Sequence, residues 1–249
     1  MYRGVVESLF RWPVKSLRGE NVPAARLDHR GMAGDRAYAL IDRRPAHDGK
    51  PLTVRQRPGM LSWSAAYAPG GGEADSPADP AGPPVLRSPD GTTWTWDDPG
   101  LSAALADSYG VPLSLRAADG QQDRGPTVLV TFEASRRALG DELGAEVETA
   151  RFRPNVHLDV DAPPFLEESC GEGTVLTVGE VVLEVTGEDA GPCIRCAVPS
   201  WDPHGRERWP LLQKHLIAEH ENIFGLIMRV TRPGTVRPGD PAELRPAAR

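Results

Sequence analysis

The chain has 249 residues, a net charge of −7 and a pI near 5.4. That length suits one large domain or two small ones with cores that need no covalent staples. The acidic balance argues against a general nucleic-acid binder, and three cysteines make an odd count that fits a reducing compartment better than a disulfide framework. No run approaches the ~20 apolar residues of a membrane span, and the start has no signal-peptide core. The expectation is a cytoplasmic protein. Its 26 glycines and 25 prolines suit short strands joined by turns rather than a helical bundle.

In chain order, Tyr2–Leu9 reads as a strand, and Arg11–Arg18 as a loop broken by Pro13. Strands are expected at Val22–Leu27, Ala37–Asp42, Leu52–Arg55 and Leu61–Tyr67. Residues 68–84 are rich in Pro, Gly and Ala and read as a flexible surface loop. A strand at Thr92–Trp96, a helix at Leu101–Tyr109 and a strand at Val111–Leu115 follow. The Ala118–Gln122 region reads as a boundary, giving domains at 1–118 and 119–249. Beyond it, strands are expected at Thr127–Thr131, Phe152–Leu158 and Leu226–Val230, and a hairpin at Val175–Val185. Helices are expected at Glu133–Leu143 and Trp209–Glu221. The fold class is mixed α+β, mostly β.

Gly191-Pro-Cys-Ile-Arg-Cys196 is the most informative segment. Two thiols lie three positions apart, separated by two residues, with an arginine directly before the second. Four readings stand open. The cysteines are buried apolar residues. Together with Cys170 and His204 they hold structural zinc. They form a redox dithiol, although the following Pro199 and turn do not give the helix such a motif uses. Or one thiolate is the ligand of a soft metal centre.

Other segments supply polar groups. Pro13-Val-Lys-Ser16 offers an ammonium, a hydroxyl and backbone N–H groups to an anion such as phosphate, or is a solvated loop. Arg153 and Asn155 lie two apart on an expected strand, so both side chains should face one way, towards a polar heterocycle or a salt bridge. Arg36 and Arg55 add donors in a locally basic stretch. His215 and His220 are five apart on an expected helix, which argues against a shared metal.

Taken in order, these pieces resemble the MOSC family, named for the C-terminal domain of molybdenum-cofactor sulfurases. The likeness is greatest to two-part members in which a β-barrel-like N-terminal domain precedes the MOSC domain, the amidoxime-reducing branch among them. It runs through Trp12-Pro-Val-Lys-Ser16, Gly34-Asp-Arg36, Leu52-Thr-Val-Arg-Gln56, Thr131–Ser135, Phe152-Arg-Pro-Asn155 and Cys193–Cys196 to Pro233–Asp240.

The resemblance implies a β-barrel-like MOSC domain behind a smaller β-rich domain, with a molybdenum cofactor (Mo-molybdopterin) between them. It implies Cys196 as the molybdenum ligand, favoured as thiolate by Arg195 beside it. Lys15, Ser16 and Arg36, with Arg55, would hold the cofactor's phosphate and pterin, and Arg153 and Asn155 would face it. Asp123 resembles a family carboxylate near the metal, although Arg124-Gly125 departs from the family pattern. The implied reaction is reduction of small N-oxygenated substrates: hydroxylamines, amidoximes or N-oxides. Electrons would come from a separate protein of ferredoxin, flavin or haem type. The rival readings are a sulfur carrier with a persulfide on Cys196, and a member with a specialised biosynthetic reaction.

Overall fold

The computed structural model describes residues 1–68, 80, 82–122 and 125–247. Most of the expected 68–84 loop therefore lies outside the described residues, as does Asp123. The architecture is mixed α+β and mostly β, as expected.

Its centre is a closed seven-stranded barrel. The strands are β1 (Tyr2–Arg11), β2 (Val128–Phe132), β3 (Val156–Val160), β4 (Val175–Val178), β5 (Val181–Glu184), β6 (Ile223–Arg232) and β7 (Pro241–Arg245). Around the barrel the order is β2-β3-β1-β7-β4-β5-β6, and the pairing of β2 with β6 closes the ring. Only β2 and β3 run parallel. The helix between them, α2 (Glu133–Leu143), makes that crossover possible. Gly144 ends α2 in the left-handed conformation, φ 64°, which a residue without Cβ adopts freely.

Alternation fills the barrel. Val6, Val130, Val156, Leu158, Leu176, Leu183, Leu226 and Leu244 face inward and are fully buried. Gly4 marks the tight approach of β1 to β3, because a Cβ there would lie 2.0 Å from the Asp159 carbonyl oxygen.

A second core packs Val14, Leu17, Leu40, Leu52, Trp63 and Trp96 against α1 (Leu101–Tyr109), beneath the small sheets formed by 38–42 with 113–117 and by 64–66 with 85–87 and 93–95. A third joins α2 to α3 (Pro210–Glu219) through Leu139, Leu212, Leu216 and the stacked rings of Phe152 and Phe224, 3.7 Å between centroids. No helix among the described residues is long and apolar enough to cross a membrane.

Two sequence expectations need correction, and one further strand joins the barrel wall. Leu52–Arg55 is not a strand. Leu52 and Val54 are buried, but the backbone turns so that the Gln56 side chain caps the Thr53 N–H at 2.9 Å. Phe152 and Arg153 belong not to a strand but to a 3-10 turn (Thr149–Phe152) closed by Arg153 at φ 55°; β3 begins at Val156. Gly191–Ile194 is a strand: it takes over from β5 along β6, with Gly191 opposite Ile227.

Candidate functional site

A cleft of about 200 Å3 opens where these cores meet. Lys15, Ser16, Arg36 and Arg55 reach it from the first half of the chain. Arg153, Asn155, Cys193, Arg195 and Cys196 reach it from the second. Every described residue that the resemblance assigns to the cofactor thus borders one cavity, and Asp123 lies outside the described residues.

The near wall is a turn. Lys15 N–H donates to the Tyr38 carbonyl at 2.8 Å, and Leu17 N–H donates back to Val14 at 3.2 Å. Ser16 is left between them at φ 73°. Lys15 Nζ donates to the Gln122 carbonyl, 3.1 Å away. Ser16, Arg36 (φ 50°) and Arg153 (φ 55°) are three of the six described non-glycine residues with positive φ, and all three line this cleft. Such backbone costs of order 1–3 kcal/mol per residue and persists where surroundings hold it.

Trp12 is what holds it. Its indole N–H donates to the Pro154 carbonyl at 2.7 Å, and its backbone N–H donates to Asp35 Oδ1 at 2.9 Å. Arg36 N–H donates to the Trp12 carbonyl at 2.7 Å. The Arg36 guanidinium pairs with buried Asp35 and donates to the Arg153 carbonyl at 3.2 Å. The Arg153 guanidinium lies 4.2 Å over the Trp12 ring. This lattice fastens the Lys15–Ser16 turn to the Arg153 turn across the cleft. Sequence reading had not given Trp12 this role; an indole next to Pro-Val-Lys-Ser16 was the available signal.

Asn155 is a bracket rather than a free donor. Its Oδ1 accepts from Leu129 N–H at 3.1 Å, and its backbone carbonyl accepts from Phe10 N–H at 2.9 Å. Arg153 and Asn155 both reach the cleft, but by the left-handed turn and not by strand alternation.

The far wall corrects the expected role of Arg195. Burial alternates through 193–196, past the end of the strand at Ile194, with Cys193 and Arg195 turned inward and Ile194 and Cys196 outward. The Arg195 guanidinium donates to Cys193 Sγ at 3.1 Å and to the Phe152 carbonyl at 2.7 Å. It therefore serves Cys193, not its neighbour Cys196. Cys196 is exposed at the cleft mouth; Cys193 and Cys170 are buried. The four-ligand zinc set does not assemble. Cys170 is enclosed in the barrel core with its thiol on the Leu166 carbonyl, and His204 contacts Arg18.

Charge is the other property of this cleft. Its described lining holds Lys15, Arg36, Arg55, Arg153 and Arg195 and no carboxylate, in a chain of net charge −7. Arg195 is only 8% exposed, forms no ion pair with a described residue, and has a buried Nε without a partner. Thr53, Gln121 and Thr127 add polar groups that sequence reading had not assigned to the site.

Comparison with known proteins agrees with this layout. Residues 121–243 match the family described as MOSC domain, and residues 3–79 match the MOSC N-terminal beta barrel domain. Mitochondrial amidoxime-reducing component 1 of Mus musculus is 24% identical, over 97% of this chain and 82% of its own. The YuaD protein of Bacillus subtilis superposes with a TM-score of 0.50 at 16% identity, over 99% of this chain and 100% of its own, a likeness of fold.

Proposed function

The chain belongs to the MOSC family, and on that premise we propose that it binds a molybdenum cofactor in this cleft and acts as an oxidoreductase on small N-oxygenated compounds. The observation that carries this reading is the cationic cleft, free of carboxylates among its described lining residues, with an exposed thiol at its mouth.

The residues fit the group. A pterin cofactor of this kind brings a phosphate, and Lys15, Ser16 and Arg36 supply an ammonium, a hydroxyl and a guanidinium on one wall. Buried Arg195, with no described carboxylate beside it, meets a charge requirement that an anionic ligand satisfies. A soft metal takes a thiolate, and Cys196 faces outward where one can be offered. When bound, the cofactor would supply a metal that exchanges two electrons and an oxygen atom with substrate.

The protein's own part is placement. Trp12, Asp35 and Arg36 hold both walls at fixed separation before any ligand enters. Thr53 and Gln121 present polar groups on the lining. Reduction of a hydroxylamine to an amine consumes two electrons and two protons and releases water. The electrons come, in this reading, from a separate ferredoxin, flavin or haem protein. We place the domain boundary near Ala118, with β1 reaching across it into the barrel.

The second reading, a persulfide carrier, rests on the exposure of Cys196, because sulfur transfer needs an accessible thiol. Metal and pterin analysis of protein from a cofactor-competent host separates them. Stoichiometric molybdenum and pterin, with the molybdenum lost on Cys196→Ser, is expected. Protein free of both, or zinc that disappears on Cys196→Ser, would overturn the proposal. Sulfane sulfur on Cys196 of metal-free protein would then favour the carrier.

A further inference from the structure

Two imidazoles and a carboxylate converge on the far side of the third core. His215 Nε2 and His220 Nε2 each lie 2.8 Å from the same oxygen, Glu142 Oε2. The three ligand atoms all lie within 4.8 Å of one another. The i, i+5 spacing that argued against a shared metal does not apply, because α3 ends at Glu219. His220 sits just beyond the helix at φ −129°, and Glu221 and Asn222 follow in the left-handed region. Released from the helical repeat there, His220 lies beside His215, with 5.7 Å between ring centroids.

We propose that Glu142, His215 and His220 bind a divalent transition-metal ion, zinc by preference, with water completing the tetrahedron. Two neutral imidazoles and one carboxylate are a donor set that zinc accepts, with the remaining position open. Exposed Glu142 and partly buried His215 leave the fourth side to solvent.

The outer groups match those of a built metal site. His220 Nδ1 contacts Glu168 Oε1 at 2.7 Å, giving the carboxylate–imidazole–metal arrangement that fixes the tautomer and raises ligand basicity. The Phe165 ring stacks on His220, 3.7 Å between centroids, and fixes the imidazole plane. No described arginine or lysine pairs with Glu142 or Glu168. The molecule offers a contrast in Glu7, Glu133 and His157, which cluster as closely. There the Arg136 and Arg137 guanidinia already pair with Glu133, so a cation has no charge to neutralise.

The ion would also reach the cleft. Asn222, two residues past His220, donates through Nδ2 to the Arg195 carbonyl at 2.7 Å, and the Arg195 N–H donates back to the Asn222 carbonyl at 2.7 Å. Pinning His220 therefore stiffens the bracket that holds Arg195 and Cys196.

The test is titration of metal-stripped full chain with zinc by calorimetry and thermal melting, with cobalt as the spectroscopic probe. One ion per chain and a raised Tm are expected. The cobalt form should show tetrahedral visible bands without thiolate charge-transfer absorption, and the Cys196→Ser protein should bind equally well. His215→Gln, at a partly exposed position, should weaken binding about tenfold or more, and Glu168→Gln by about 10–100-fold. No binding at large molar excess of zinc, or unchanged affinity in His215→Gln and Glu142→Gln, would overturn the proposal.

Discussion

Replacing Arg195 by methionine tests whether this guanidinium serves the fold or a ligand. Burying it without a counter-charge costs several kcal/mol. Its bonds to the Phe152 carbonyl and Cys193 Sγ return about 1.5–3 kcal/mol each. The two contributions nearly cancel. Methionine keeps much of the apolar stem, removes the charge, and leaves the Phe152 carbonyl short of a donor at about 1–3 kcal/mol. The metal-free variant should therefore be less stable than wild type by about 1–3 kcal/mol, against about 3–5 kcal/mol for breaking a paired buried ion. For a chain of this size that is at most about 12 °C in Tm. Cofactor retention should fall much further, by about tenfold or more, since a bond to a charged group is worth about 1.5–3 kcal/mol. Urea melts of metal-free protein and molybdenum and pterin assays on the folded fraction give the two numbers. A variant whose metal-free form is weakened by more than about 3 kcal/mol, while its folded fraction from a cofactor-competent host keeps molybdenum and pterin at the wild-type level, would make Arg195 a structural residue and refute the reasoning.

Other outcomes follow from the same geometry. Phe152→Ala removes a fully buried ring stacked on Phe224 and should cost about 3–5 kcal/mol in a denaturant melt; a loss under about 1 kcal/mol would mean that the third core collapses around the gap. Burial would raise the Glu133 carboxyl, but hydrogen bonds from Arg136, His157 and Arg137 outweigh it and bring the pKa down from 4.5 to about 2. A depressed carboxyl contributes stability above its unfolded pKa and loses it as pH falls from 4.5 towards 2. With screening through half-exposed Arg137, about 2 kcal/mol should vanish over that window, and Glu133→Gln should flatten the profile there; an unchanged acid limb would show that other groups set it. Thiol labelling of native protein should modify Cys196 fast and Cys193 and Cys170 slowly, since only Cys196 is exposed. Equal rates would contradict the inward turn of Cys193.

Much of the barrel was legible because its strands alternate cleanly. Val175–Val178 and Val181–Glu184 pair around the expected Gly179-Glu180 turn. The cleft's cations were legible as residue types in unusual company. What escaped was geometry decided by distant partners. Arg153 lies in a left-handed turn because Trp12 and Arg36 hold it, which no local pattern announces. Arg195 aims at Cys193 because 191–194 is a strand on β6, an assignment that its glycine and proline concealed. His215 and His220 meet only because the helix ends one residue early for the periodicity to hold.

The position of β1 has a kinetic meaning. This strand precedes both of its barrel neighbours, Val156–Val160 and Pro241–Arg245, by a long stretch of chain. During synthesis at the ribosome it must wait, with Val6 and Leu9 uncovered, until Pro241–Arg245 has emerged. Closing so long a loop is thermodynamically inexpensive but slow to find. Until both neighbours arrive, the apolar face of β1 is a site where the nascent chain can aggregate.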